Sequence, residues 1–397
     1  MYIPRASFYT PVPKKRYIQH PLDHIVNRAY HVRRSANTQG RIILSPNEKL
    51  SLDYPTTLPQ TEFSLPLYID SSMLSLWRAC RRKHYWSTLR GLYPMGKSVH
   101  LVAGAALAAG LEAARRFVFA SSSPASVHHD DILLAAYPAF HSEWGDYEPP
   151  ETPRNAKTFV HTFSALANYL SEYHPGRDPI QPYIRTDNSP AVEYRFAIPL
   201  PILHPSGDPF LFVGRFDLLG YYSFANALTP VICDEKTASS FTFDWAEKWD
   251  LRGQFIGYLW ALRQQGINIS HAVARGIAIQ KTQFDVRTAF IQYPDFMFSL
   301  WEIQLLRDVQ AIKDHFLNSS KEPHLIDKKS HYSMDFADAC DSYGGCAFRT
   351  LCSQYDPEPF TSNYILHRWN PLARQPVEES PQISTHTPPR LEGIALS

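Results

Sequence analysis

The chain has 397 residues, of which 44% are hydrophobic and 13% aromatic, so it can bury a sizeable apolar core. Its 39 basic and 38 acidic side chains give a formal net charge of +1. This balance excludes an overall field that would attract nucleic acid or an acidic membrane, so any site for a polyanion must be a local patch. The length fits two average domains or one elaborated α/β domain with terminal extensions.

The beginning of the chain and its cysteines bear on where the protein works. The first residues, MYIPRASFYTPVPKKRYI, contain prolines and no continuous apolar region of the kind found in a secretory signal. Residues 101–114 form the most apolar segment, which is too short to cross a bilayer and includes Glu112. Five cysteines are too few for a disulfide scaffold of this size. We therefore expect a soluble, cytoplasmic protein without a membrane partner, in which clustered cysteines are metal ligands.

Composition divides the chain into three parts. Residues 1–65 are rich in Pro, Arg and Tyr without sustained periodicity and are predicted to be an N-terminal extension. Residues 361–397 contain repeated prolines among polar residues, which predicts a flexible tail. Residues 66–360 are predicted to be the folded domain.

Three helices are predicted in the first half of this domain. Asp70 can cap a helix over residues 73–85, whose apolar and aromatic side chains recur at helical spacing. Further helices are predicted over residues 99–119 and 156–173.

The pattern then changes to short runs rich in β-branched and aromatic residues, separated by Pro, Gly, Ser and Asn. Predicted strands cover residues 191–199, 210–222, 230–234, 272–279 and 286–293. Helices are predicted over residues 245–265 and 298–317. This order predicts an α/β fold with a mixed central sheet flanked by helices.

Acidic residues occur at three of the predicted strands. Glu193 begins one strand, Asp217 interrupts an apolar strand, and Asp234 lies two residues before Lys236. Because side chains alternate along a strand, Asp234 and Lys236 should share a face while Glu235 points away. Carboxylates from neighbouring strands can hold a hard divalent ion, and a lysine can stabilise developing phosphate charge. An Asp-x-Lys sequence on an exposed strand edge is the simpler alternative.

The next predicted helix, LRGQFIGYLWAL, contains Gln254 and Tyr258 four residues apart and hence on one face. Ordinary packing would explain these side chains equally well. Since the helix directly follows the Asp-x-Lys strand, we expect the pair to lie over the acidic site.

The order of Gly-Arg-Phe-Asp, Asp-x-Lys-Thr and Gln-x-x-x-Tyr resembles the RecB-like branch of the PD-(D/E)XK nuclease superfamily. The resemblance implies a restriction-endonuclease-like core and a site that holds Mg²⁺ or Mn²⁺. It implies metal ligands, a catalytic lysine and a completing helix motif at Asp217, Asp234, Lys236, Gln254 and Tyr258, with Glu193 as an acid on the preceding strand.

The same family often has a helix with the pattern Gly-x-x-x-His-x-x-x-Glu before the strands. Gly104 and Glu112 fit this pattern, but Ala108 stands at the histidine position. Glu112 is therefore either a further metal ligand or part of a polar patch.

Three cysteines, Cys340, Cys346 and Cys352, lie close together near glycines, and a further cysteine, Cys80, lies far upstream. The family resemblance implies that these four hold a four-iron, four-sulfur cluster next to a helical region. The spacing of the last three departs from the commonest family pattern, and Zn²⁺ is the alternative because it also accepts four thiolates. Cys233 lies in an apolar strand and is expected to be an ordinary buried residue.

The densest basic run comprises Arg78, Arg81, Arg82 and Lys83, interleaved with aromatic residues. Arginines bind phosphates and aromatic rings stack on unpaired bases, so this run is a candidate surface for single-stranded nucleic acid. A solvated helix face is the alternative.

Together these features predict an Mg²⁺- or Mn²⁺-dependent deoxyribonuclease, an exonuclease acting on DNA ends or single strands. Proteins of DNA replication, repair or recombination are the expected partners. Two alternatives remain: a non-catalytic nucleic-acid-binding or assembly protein with the nuclease fold, for which Ala108 argues, and a zinc-stabilised interaction protein whose acids are surface groups.

Overall fold

A computed structural model describes residues 63–96, 98–150, 155–185, 187–224, 227–336, 338–341 and 345–368. Nearly all of the predicted N-terminal extension and most of the predicted tail lie outside these residues. Within them, no helix combines the length and apolar character that crossing a bilayer requires.

The centre of the protein is a seven-stranded sheet, beside which lies a two-stranded one. In chain order the strands are β1 Tyr68–Ile69, β2 Leu92–Pro94, β3 Ile180–Pro182, β4 Val192–Leu203, β5 Pro209–Phe224, β6 Ala227–Ala238, β7 His271–Ile279, β8 Phe284–Gln292 and β9 Tyr364–Leu366. The large sheet has the order β1-β5-β6-β7-β8, and β3 and β4 also pair with β5. The β1/β5 and β6/β7 pairs are parallel and the others antiparallel, so the sheet is mixed.

Helices cover both faces of this sheet. They are α1 Ser71–Ala79, α2 Arg81–His84, α3 Val99–Phe119, α4 His129–Trp144, α5 Phe159–Glu172, α6 Gly253–Gln264, α7 Asp295–Ser319, α8 Leu325–Ser330 and α9 Arg349–Ser353. Along β7, Ala274 contacts the layer that contains α1, α6 and α7, whereas Ile277 and Ile279 contact α3, α4 and α5. The alternation of side chains thus places apolar groups on both faces. The prediction of a mixed α/β fold with a central sheet flanked by helices is confirmed.

Helix α4 has no counterpart among the predicted helices. Its buried residues Ile132, Ala136 and Phe140 recur four residues apart and pack in the same core as α3 and α5. Pro138 lies inside this helix and obscures the pattern, because proline usually breaks a helix interior. Packing against α3 outweighs that preference here.

The helix predicted over residues 73–85 is broken at Cys80. This residue has an extended backbone, with φ −160° and ψ 110°, and separates α1 from α2. Its Sγ accepts a hydrogen bond from the backbone N–H of Lys83 at 3.4 Å, so the thiol caps α2. A single π-helical turn, Tyr85–Leu89, follows α2. The thiol of Cys80 therefore lies at a turn between helices and not on a continuous helix face.

The ordered chain continues into the region predicted as a tail. Strand β9 pairs antiparallel with β2, with Ile365 opposite Tyr93. The side chain of Tyr364 also contacts the core, where its ring stacks on Phe348 at 5.6 Å. Regular pairing of the backbone thus extends beyond residue 360.

Gly214 gives a test of the packing between the sheet and α6. A Cβ atom at this position would lie 2.7 Å from Phe196 Cε1 and 2.9 Å from Tyr258 Cε1, closer than side-chain atoms approach one another. Gly214→Ala should therefore lower the free energy of unfolding by about 1–3 kcal/mol through overpacking, measured by urea denaturation. Gly104→Ala is the control, because a Cβ there meets Thr237 Oγ1 at an ordinary 3.6 Å and alanine favours a helix. Equal stability of the Gly214 variant and the unmodified protein would contradict this packing.

Candidate active site

The candidate site lies where two neighbouring strands separate. The pairing of β5 with β6 ends at Leu218 opposite Cys233, after which β5 continues beside β4 and β6 beside β7. Asp217 and Asp234 are the next residues on either side of this fork. The carboxylate of Asp217 accepts a hydrogen bond from the backbone N–H of Glu235 at 2.5 Å, which bridges the separating strands.

Asp234 and Lys236 lie together on one face of β6. The Lys236 ammonium forms an ion pair with Asp234 Oδ2. The side chain of Asp234 is buried, whereas that of Lys236 keeps 30% of its surface exposed. Burial raises the pKa of Asp234 and Lys236 opposes the rise. Burial alone would lower the pKa of Lys236, but Asp234 and Asp217 raise it above its usual value, so the lysine stays cationic.

Glu193 on β4 is the third acid at the fork, and its backbone is strained. Its φ is +54°, in the left-handed region that residues with a Cβ atom rarely adopt. The carboxylate is buried and forms an ion pair with Arg215 Nε at 2.9 Å. Burial raises the pKa of Glu193 to about 7, with Arg215 opposing and Glu112 adding to the rise. Strain of this kind concentrates at functional sites, where surrounding structure holds it in place.

The three carboxylates repel one another. The pKa of Asp217 is raised well above its usual value by burial and then by Asp234, Glu235 and Glu193. Such crowding is relieved by a proton or by a cation, and carboxylate oxygens are the ligands that hard divalent ions prefer. The donor set therefore fits Mg²⁺ or Mn²⁺. Within the described ranges, however, no three His, Cys, Asp or Glu side chains are already arranged around one point as a metal site.

Gln254 and Tyr258 of α6 form a hydrogen-bonded pair. Gln254 Nε2 donates to the Tyr258 hydroxyl at 2.8 Å. The Tyr258 ring packs edge-on to Phe196 and close to Gly214. Burial raises the pKa of Tyr258, and the largest contribution from a charged neighbour comes from Asp234. The pair therefore lies beside the acids.

Helix α3 passes the fork on its way across the sheet. Gly104 lies next to Thr237 of β6. Two turns later Glu112 raises the pKa of Glu193, so the two carboxylates are close. Glu112 is also paired with Arg116 at 2.9 Å. Ala108 occupies the helix position midway between Gly104 and Glu112.

Two further residues at the site, Arg115 and Tyr169, were not predicted. Glu235 points to the reverse side of β6, the face opposite Asp234 and Lys236. There Arg115 donates to both of its carboxylate oxygens, one through Nη1 at 3.2 Å, and the Tyr169 hydroxyl donates to the same carboxylate at 2.8 Å. Burial would raise the pKa of Glu235, but Arg115 outweighs it and the pKa falls to about 2. The sequence holds a signal for Arg115, because this arginine lies between Leu111 and Val118 on the apolar face of α3.

The four cysteines predicted as cluster ligands influence one another. Burial raises the pKa of the Cys340 thiol, and Cys346 and Cys80 raise it further. The Cys352 thiol responds to the same two neighbours. The backbone N–H of Cys346 donates to the carbonyl of Cys340 at 2.8 Å. As they stand, these described cysteines do not form a ready ligand set for a metal.

Cationic and aromatic side chains lie against the thiol of Cys352. The Trp86 indole and the charge of Arg82 lower its pKa and partly offset the effect of burial. Cys233 is different, because it is fully buried in β6 and its Sγ lies 3.7 Å from Glu235 on the reverse side of the sheet.

The predicted basic run does not form a uniform surface. Arg78 Nε pairs with Asp308 of α7 at 2.6 Å. Arg82 is only 8% exposed, and its guanidinium donates to a backbone carbonyl after α8, so it supports the fold instead of facing solvent. Arg81 is exposed and Lys83 is half-buried. The buried side chain of Arg82 contacts protein, and the nucleic-acid contact predicted for it stays a prediction.

The raised pKa of Glu193 predicts a pH dependence of stability. Between its usual value of 4.5 and about 7 the native state binds more protons than the unfolded state, so stability falls as pH rises through this range. Glu193→Gln should remove this loss, and between pH 5 and 8 it should gain on the order of 2–4 kcal/mol relative to the unmodified protein.

Urea unfolding in metal-free buffer at both pH values measures the difference. The exposed Glu247→Gln serves as the control and should change with pH as the unmodified protein does. A Glu193→Gln variant with an unaltered pH dependence would show that Glu193 does not carry this loss.

Comparison with known proteins identifies the family. No curated protein matches the sequence. The crystal structure of SSO0001 is similar over 37% of this chain and 63% of its own, less than two thirds of that protein, with 12% identity and a TM-score of 0.20. The family model of the PD-(D/E)XK nuclease superfamily matches residues 71–353, which include the fork, the helices on both faces and the cysteines. The chain belongs to the PD-(D/E)XK nuclease superfamily.

Proposed function

We propose that this protein is an Mg²⁺- or Mn²⁺-dependent deoxyribonuclease of the RecB-like type, an exonuclease that acts on DNA ends or single strands. The observation that carries the proposal is the crowding of Asp217, Asp234 and Glu193 at the strand fork beside Lys236. Carboxylates that repel one another and a lysine that stays cationic suit hydrolysis of a phosphodiester.

Asp217 and Asp234 would hold the divalent ion, with Glu193 or Glu112 assisting. When bound there, such an ion polarises a phosphate oxygen and lowers the pKa of an attacking water. Asp217 and Asp234 are not paired with each other across β5 and β6, and the Asp217 carboxylate instead accepts from the backbone N–H of Glu235.

Lys236 would stabilise the negative charge that develops on the phosphate as the bond to the leaving oxygen breaks. Its ammonium is already held by Asp234 and partly exposed, so it can face a substrate without reorganising. Gln254 donates to the phenolic oxygen of Tyr258, which leaves the phenol hydrogen available for a water or phosphate oxygen. These two residues would orient the reactants.

Arg78 supports a nucleic-acid substrate from the side of α1. One nitrogen of its guanidinium lies near Gly253, the first residue of α6 and the neighbour of Gln254. A phosphate contacted by Arg78, Arg81 or Lys83 would therefore lie close to the candidate site. Proteins of replication, repair or recombination remain the expected partners of such an enzyme.

Cys80, Cys340, Cys346 and Cys352 would hold a four-iron, four-sulfur cluster, with Zn²⁺ as the alternative. The mutual influence of these thiols on their pKa values and the nearby Trp86 indole support a common site. Its contribution would be structural, because it would close a very long loop around the nuclease domain.

A non-catalytic nucleic-acid-binding or assembly protein is the second candidate function. Ala108 favours it, because a methyl group stands where the related nucleases often have a histidine. Retention of DNA without cleavage in Mn²⁺ would decide for this candidate.

Replacement of the acids separates catalysis from folding. Asp234→Ala and Asp217→Asn should each reduce cleavage of single-stranded DNA by more than the roughly 10–100-fold that loss of an outer-shell partner costs. Asp217→Asn should also raise the melting temperature of the metal-free protein, since it removes one of the repelling charges and keeps an oxygen for the Glu235 N–H. The exposed Asp295→Asn is the control. Undiminished cleavage by Asp234→Ala would refute the proposed site.

Metal analysis tests the cysteine proposal. Cys346→Ser should lose iron and sulfide, the visible absorption of the cluster and several degrees of thermal stability when protein is purified anaerobically. Cys233→Ala should keep all of the metal, because Cys233 lies in the sheet beside Glu235. Stoichiometric zinc without iron would favour the alternative metal, and absence of both metals from the unmodified protein would refute a cysteine-ligated site.

A further inference from the structure

A chain of charged and polar side chains is buried against one face of β6, opposite the face that carries Asp234 and Lys236. It begins at Arg115 of α3, which holds Glu235, and continues through Tyr169, whose hydroxyl donates to Glu235 at 2.8 Å and accepts from Arg275 at 3.2 Å. Arg275 then binds both oxygens of Asp178, at 2.5 and 2.7 Å. We call these five residues the reverse-face network.

Glu235 connects this network to the candidate site. Its side chain points to the reverse side, whereas its two neighbours, Asp234 and Lys236, form their ion pair on the other side. Its backbone N–H donates to Asp217 across the fork. A rotation of the backbone at this residue would therefore change the position of all three groups at once.

We infer that Arg115 is a positioning residue for the active site. Because it binds both carboxylate oxygens of Glu235, it fixes the backbone of β6 so that Asp217, Asp234 and Lys236 face one another. This inference rests on the proposed function as a metal-dependent nuclease. It assigns to Arg115 no contact with substrate or metal.

The geometry of the grip explains why it can fix a backbone. A guanidinium is planar and meets a carboxylate through two parallel hydrogen bonds, which define an orientation as well as a distance. Both side chains are almost completely buried, with 6% and 3% of their surface exposed, so water does not weaken the pair. The Tyr169 hydroxyl of α5 donates a third hydrogen bond to the same carboxylate from another direction. The carboxylate of Glu235 is thus held from two helices.

The network also sets the charge behind the site. Arg115 and Arg275 balance Glu235 and Asp178, so the network as a whole is neutral. The acids at the fork consequently receive no surplus positive charge from behind, and the cations Lys236 and Arg215 that pair with them lie at the fork itself.

Two buried arginines allow a matched comparison. Arg115→Met and Arg275→Met each remove one arginine from a buried ion pair, but only Arg115 holds Glu235 directly. Mn²⁺ binding is measured by calorimetry, exchange of the backbone N–H of residue 235 by NMR, and global stability by thermal unfolding. Arg115→Lys keeps the charge and loses the planar two-point grip.

Arg115→Met should weaken Mn²⁺ binding by about 10–100-fold and accelerate exchange at residue 235, because the hydrogen bond to Asp217 is no longer held in place. Arg115→Lys should lie between this variant and the unmodified protein. Arg275→Met should lose comparable thermal stability while its Mn²⁺ affinity changes by less than about threefold. Equal effects of the two methionine variants on Mn²⁺ affinity, or unchanged exchange at residue 235 in Arg115→Met, would overturn the inference.

If Arg115→Met fails to fold, the double variant Arg115→Leu with Glu235→Leu replaces the ion pair by apolar side chains, which often preserves stability. It should fold and still bind Mn²⁺ at least about tenfold more weakly, and unmodified affinity would overturn the inference. Failure of the unmodified protein to bind Mn²⁺ or to cleave DNA would refute the proposed function, and exchange at residue 235 would then still decide whether Arg115 positions the strand.

Discussion

The separation of β5 from β6 after Leu218 and Cys233 is the constraint on which the candidate site depends. If the two strands stayed paired, Asp217 and Asp234 would be direct partners in the ladder, and the backbone groups beside them would be used for pairing. Once the strands part, the backbone N–H of Glu235 turns to Asp217 instead of to a carbonyl on β5. A hydrogen bond that would otherwise belong to the sheet thereby orients an acid, and the opening of the sheet itself accounts for the polar site.

Packing and ion pairs around the fork stabilise a grouping of acids that is unfavourable by itself. The left-handed backbone of Glu193 and the repulsion among the carboxylates both destabilise the native state. The aromatic packing of Tyr258 over Gly214 on one side and the buried ion pairs on the other hold the acids where they are. The free energy of packing in the core thus offsets the strain and repulsion at a site that is ready to accept a cation, which is a common relation between stability and activity.

Sequence reasoning predicted the helices and strands with strong periodicity, because that signal is local. It also named the acids that lie at the fork, because each of them stands in or beside an apolar strand. Helix α3 is predicted to its last residue, since its apolar positions repeat without interruption. The break at Cys80 and helix α4 were not foreseen, because a thiol that caps a helix and a proline inside one are decided by tertiary contacts. Arg115 was missed for the same reason, since its partner lies far away in the sequence. Glu193 could be named as an acid, but its backbone strain is set by neighbouring strands and leaves no trace in composition.

The pairing of β9 with β2 has a consequence for the order of events during synthesis. Residues 364–366 are synthesised long after residue 92, yet the two segments pair in one sheet. The central strands and α3 can pack before this segment exists, because domains form contacts from the N-terminus onward. Cys80 is therefore synthesised well before Cys340, Cys346 and Cys352, the other predicted ligands. The pairing of these two distant segments is therefore a late step, and a cofactor held by all four cysteines could bind only after it.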